Sequence, residues 1–220
     1  MEYEIEGKFA QIVRLGFSKA DECWASKGSL TAYDPAVNWE LKVPGGVGGA
    51  ARRVLSGEGV TLTRVRTVAD NSEAILASNE PGKIIDWNLD AGPVLTTRGS
   101  FVGAYGPAVD IDVIVTRRAG AAFFGGAGLF LQKISGQGVV FIHGAGDFIE
   151  YELDRGQSIM VSTGNLAAFA DSVDYDIQRV GGVRRALFGG EGLFMTKLTG
   201  PGRVLLQSLK RMSGSSGQAT

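Results

Sequence analysis

The sequence predicts an all-β chain built as three tandem antiparallel, β-sandwich-like repeats with almost no helix. Three observations predict it. Three sequence blocks recur in the same order at nearly constant spacing. Glycine supplies 33 of 220 residues, about twice the usual ~7%, without a collagen period, so its abundance points to turns and bulges. No window of about 12 residues carries a convincing 3.6-residue apolar period; one turn around Ala50 to Leu55 is the best helical candidate.

The blocks justify the repeats in order. TAYDPAV (Thr31 to Val37) returns as GAYGPAV (Gly103 to Val109) and AAFADSV (Ala167 to Val173). SGEGVTL from Ser56 returns as GGAGLFL from Gly125 and GGEGLFM from Gly189, which makes Gly57, Gly126 and Gly190 equivalent. PGKIIDWNLDAG from Pro81 returns as GDFIEYELDRG from Gly146, with GKFAQIVRL from Gly7 as a degraded first copy. The repeats then occupy residues 1–80, 81–145 and 146–210, and 211–220 is a polar tail expected to be disordered. Within them IIDWNL, VDIDV, FIEYEL, SIMVS, VDYDI and RVLLQS read as short strands, rich in β-branched and aromatic residues with partial alternation. Glycine turns separate them, GQG at Gly136, GAG at Gly144 and GPG at Gly200 among them.

Composition removes several function classes. Charges nearly cancel, 22 Lys+Arg against 23 Asp+Glu, so a uniformly basic coat or a polyacidic chain is excluded. The longest uncharged apolar run, Ala119 to Leu131, falls short of the ~20 residues of a spanning helix. A lone cysteine, Cys23, and an acidic start (Glu2, Glu4, Glu6) suit a reducing, cytoplasmic location without a presequence.

GGEGLFMTKLTGPGRVLLQSL (Gly189 to Leu209), GSLTAYDPAVNWELK after Gly28 and RVLSGEGV before Thr61 resemble the altered-inheritance-of-mitochondria family. The resemblance runs from about Glu4 to Lys210. It implies an all-β fold of three domains similar to the subunit of the trp RNA-binding attenuation protein, in a ring-forming superfamily, and no settled activity.

The residues offer little catalytic chemistry, and no enzyme, metal or cofactor is expected. His143 is the single histidine, with no GxSxG elbow to supply a serine partner. Cys23 lies between Glu22 and Trp24 and lacks the cationic neighbours that activate a thiol. The glycine clusters match neither GxxxxGK[ST] nor a strand-to-helix GxGxxG, so they read as turns or bulges. Carboxylates recur at i, i+2 after the three equivalent valines: Asn38/Glu40, Asp110/Asp112 and Asp174/Asp176. Two are too few for a cation site, and the expected role is a solvated strand face or pairing with arginines of a neighbouring repeat.

Two patterns bear on partners. Arginine pairs Arg52/Arg53, Arg117/Arg118 and Arg184/Arg185 fall once in each repeat and would form a basic belt in a ring, a candidate polyanion or RNA site. No stacking aromatics alternate with them, so nucleic acid is not the favoured partner. Phe123 and Phe124 sit in an uncharged stretch that is either core or a patch for a protein partner or the membrane periphery. The favoured reading is a non-enzymatic scaffold or binding protein of unknown ligand that self-assembles. Repeats this small leave open strand edges, expected near the amino-terminal strand and at Val204 to Leu209, where Val204 and Leu206 would meet the next subunit. A homo-oligomeric ring, best taken as a trimer, follows.

Overall fold

The structure is a computed structural model that describes residues 1–43, 61–116, 129–179 and 194–211. The described residues form seventeen strands and two single 3₁₀ turns, at Leu89–Ala91 and Thr163–Asn165. The first seven strands are β1 (Glu2–Glu6), β2 (Ile12–Phe17), β3 (Glu22–Ala25), β4 (Leu30–Tyr33), β5 (Val37–Lys42), β6 (Leu62–Thr67) and β7 (Ser72–Ala77). Four follow: β8 (Gly82–Asn88), β9 (Val94–Thr97), and two long strands, β10 (Phe101–Thr116) and β11 (Leu129–Ala145). The last six are β12 (Phe148–Leu153), β13 (Ser158–Ser162), β14 (Leu166–Ala170), β15 (Asp174–Arg179), β16 (Phe194–Thr199) and β17 (Gly202–Gln207).

Alternation explains the outer strands. In β2 (IVRLGF), Val13, Leu15 and Phe17 are buried while Ile12, Arg14 and Gly16 face the other side. In β7 (SEAILA), Ser72, Ala74 and Leu76 are buried in the same way. Strands covered on both faces lack this signature: β9 (VLTT) is buried throughout, as are Val204 to Gln207 of β17.

The described strands pair antiparallel, with two isolated parallel bridges at Gly82, and one scheme recurs along the chain. In the first segment β7 lies between β2 and β4, and β6 between β3 and β5. In the last, β17 lies between β12 and β14, and β16 between β13 and β15. In the middle, the carboxy-terminal half of β11 lies between β8 and the start of β10. Its amino-terminal half lies between β9 and the end of β10. A register shift falls at corresponding places: Leu30/Ala32 in β4, Phe101/Gly103 in β10 and Leu166/Ala168 in β14. Two further pairings join the segments, β10 with β3 and β14 with β9. Three apolar clusters fill the interior, and each draws side chains from more than one segment.

Two expectations are corrected here. Val204 to Leu209 is not an open edge, because β17 is hydrogen-bonded on both sides; Val204 is fully buried and Leu206 nearly so. The GQG at Gly136 is not a turn either. It lies inside the continuous β11, opposite a register shift between Tyr105 and Ala108 of β10. There the two backbones cross so closely that a Cβ on Gly136 (φ +104°) would fall 1.7 Å from the Ala108 carbonyl oxygen.

This crossing yields a measurable expectation. Gly136→Ala combines left-handed strain with a backbone clash, whereas Gly156→Ala (φ +80°) meets strain in open space. In urea titrations Gly136→Ala should lose about 2 kcal/mol more than Gly156→Ala, the cost of overpacking. Equal losses would mean that the crossing relaxes freely.

Candidate functional site

Most sequence-derived candidates lie outside the described residues. The six arginines (Arg52, Arg53, Arg117, Arg118, Arg184, Arg185), Phe123, Phe124 and the equivalent glycines at 57, 126 and 190 lie outside the described residues. So does the helical candidate at Ala50 to Leu55.

The recurring carboxylates are brought to strand pairs within their own segments. Glu40 stands opposite Arg64, Asp112 opposite Lys133 and Asp176 opposite Lys197. Glu40 lies 3.1 Å from Lys42 Nζ, with Arg64 and Arg66 beyond at 3.8 and 3.7 Å. The Lys42 hydrogen bond first, and these cations with it, hold its carboxyl below the usual range. Glu40 is thus paired both along its own strand and across the strand pair, whereas Lys133, opposite Asp112, bonds Asp171 of the last segment at 2.6 Å, and Asp176 accepts from Gln178 at 3.1 Å. Among the described residues, no group of three His, Cys, Asp or Glu side chains could hold a metal ion.

Cys23 is buried, and burial pushes its thiol well above the ordinary value, with Glu22 adding to the effect. His143 is fully buried on β11. Burial, and then the neighbouring Arg211 guanidinium, lower its pKa to about 4, although Glu80 opposes the shift. Arg211 can only donate, so its Nη2, 2.9 Å away, assigns Nδ1 as acceptor and the ring proton to Nε2. Arg211 also donates to Glu80 (3.0 Å), the Arg98 carbonyl (3.1 Å) and Ser100 Oγ (2.8 Å). The first residue of the expected tail is therefore held in place, and its cluster ties the chain's last described residue to β11. Sequence reading missed this cluster because its members lie up to 131 positions apart.

A groove of about 450 Å³ lies beside β13, with apolar side chains on its walls and Ser162, Asn165, Gln207 and Ser208 also lining it. Ile149 and Tyr151 of β12, Ile159, Met160 and Val161 of β13, and Leu206 of β17 line it. Ile149, Tyr151 and Met160 stay 40–47% exposed. Among the described residues β13 pairs only with β16, and its other backbone edge borders the groove. At the other end, β4 pairs among the described residues only with β7, and Tyr33 on it is 48% exposed. The sequence signal was present in SIMVS and LTAY, which carry none of the charges or prolines that usually block an edge.

Antiparallel sheets hydrogen-bonded edge to edge define an all-β protein. No helix of the described residues is long and apolar enough to cross a membrane. The family model for mitochondrial biogenesis AIM24 matches residues 3–209, and the chain belongs to that family. A Streptococcus pyogenes protein of solved crystal structure, SPYM3_0169, is similar in fold, with a TM-score of 0.79 at 22% identity over 95% of this chain and 94% of that one. No curated protein matches the chain.

Proposed function

We propose that this chain is a non-enzymatic, self-assembling β-repeat scaffold, three copies of one six-strand unit in tandem. One observation carries the reading: the segments join by sheet continuation, and the joint has the same register both times. Gly103, Ala104 and Tyr105 face Ala25, Trp24 and Cys23; Ala168, Phe169 and Ala170 face Thr96, Leu95 and Val94. These triplets occupy corresponding positions, counted from the register shift in β10 and β14. A unit joined in this way extends by adding further units, and each end of the array keeps one joining strand unpaired. The single histidine supports the non-enzymatic part, since His143 is buried and engaged with Arg211 rather than open to a substrate.

The number of chains is the test. Light scattering on a gel-filtration peak should give a multiple of the 23.2 kDa chain mass, with three chains expected. A one-chain mass that persists at high protein concentration overturns the reading.

A further inference from the structure

The two joints inside the chain fix the geometry of a third. Counted from the register shift that β4 shares with β10 and β14, Ala32 corresponds to Gly103 and Ala168, and Tyr33 to Ala104 and Phe169. On the other strand, pairing to the central β6, β11 and β16 aligns Ala25 with Thr96 and Val161, and Trp24 with Leu95 and Met160. We infer that β4 of a second copy of this chain pairs antiparallel with β13, with Ala32 opposite Val161, Tyr33 opposite Met160 and Asp34 opposite Ile159. This inference rests on the self-assembly reading and adds to it the strands, the register and the direction.

Exposure supports the match. At the second internal joint the facing pair is Phe169 and Leu95, 0% and 3% exposed. The corresponding pair at the ends of the chain, Tyr33 and Met160, is 48% and 47% exposed. Each end thus displays apolar area that the internal joint removes from water.

The groove extends the argument beyond the backbone. At the first joint Phe141 and Val102 pack into one cluster with Val13 and Leu15. At the second, Leu205 and Ala167 pack into one cluster with Trp87. In the last segment the corresponding wall is Ile149 and Tyr151, and it stands open. The residues of the first segment that correspond to Phe141 and Val102 are Ile75 and Thr31, on the face of β7 and β4 that the core leaves uncovered. Ile75 of the second copy enters the groove. The contact is heterologous, one end of a chain against the other end of the next, because β4 and β13 are different strands.

Cysteine pairing tests register and direction together. Facing residues of antiparallel strands have Cα atoms roughly 4.5–5.5 Å apart, inside the range a disulfide spans. Full-length Tyr33→Cys and Met160→Cys chains, mixed under mild oxidation, should give a covalent two-chain species. Neither variant alone should do so, and buried Cys23 does not compete. Self-cross-linking of either variant at the yield of the mixture overturns the proposal in favour of a like-to-like edge. An oligomeric mass without any cross-link in the mixture overturns this edge pairing and leaves self-assembly standing; a one-chain mass removes both. As a second arm, Tyr33→Lys and Met160→Lys alter exposed side chains only, and each should lower the scattering mass to one chain. Retention of the full assembly by both variants overturns the proposal.

Discussion

Phe141→Ala should lower the unfolding free energy by about 3–5 kcal/mol, the range for truncating a buried phenylalanine. The side chain is fully buried, and its ring meets Tyr3 edge-on at 5.0 Å and stacks with Tyr105 at 6.1 Å. Tyr3 is fixed in turn by its hydroxyl, which donates to Asp86 at 2.8 Å. Three stretches of chain, β1, β10 and β11, therefore meet on one ring, in a cluster that also holds Val13 and Leu15. Collapse around the vacancy would need all three to move, which places the cost towards the upper end. Denaturant unfolding checks it, with Phe9→Ala as control, because Phe9 is 85% exposed and should stay within about 0.5 kcal/mol. A loss below about 1 kcal/mol for Phe141→Ala would mean that the first segment does not depend on the second for its core.

Acidification should destabilise the protein through His143. The ring titrates near 4 when folded and near its ordinary 6.5 when unfolded, so the unfolded chain binds the extra proton between these values. A depressed folded value gives stability that is complete above pH ~6.5 and is lost as pH falls towards 4. The loss from this one group is about 2 kcal/mol at pH 5 and about 3 kcal/mol at pH 4. His143→Gln isolates it, because a glutamine oxygen can still accept from Arg211 and carries no proton. Gln207 of β17 stands at the corresponding place in the last segment, facing Phe148 as His143 faces Ile84. The fall in unfolding free energy from pH 7 to pH 5 should shrink by about 2 kcal/mol in the variant. An unchanged pH dependence would place the acid sensitivity on the carboxylates instead.

The strands themselves were legible because alternation and β-branched runs are local signals. IIDWNL, FIEYEL and SIMVS became β8, β12 and β13, and VDIDV lies within β10. Which strand lies at an edge was not legible in the same way. RVLLQS and SIMVS are similar in composition, yet Val204 to Gln207 are covered on both faces while Met160 is half exposed. The unbroken run Val204-Leu205-Leu206 was the available sign, since a strand buried on both faces need not alternate. For the groove, composition marked Ile149, Tyr151 and Met160 as apolar but not as neighbours. The cluster of Glu80, His143 and Arg211 left no sequence signal, since nothing local links three residues so far apart.

By itself the sequence determined the all-β class and the recurrence of blocks, and it carries neither a GxSxG nor a GxxxxGK[ST] motif. These properties follow from side-chain volume, polarity and spacing along the chain. Only the tertiary structure decided that β17 is central, that Gly136 marks a crossing rather than a turn, and that β4 and β13 each keep an unpaired edge among the described residues. The reason is physical: a backbone N–H or C=O is identical at every residue, so no local signal says which strand satisfies it. That choice falls to the chain as a whole, when apolar faces from distant segments compete for the same core and the strands they carry take the hydrogen bonds left within reach.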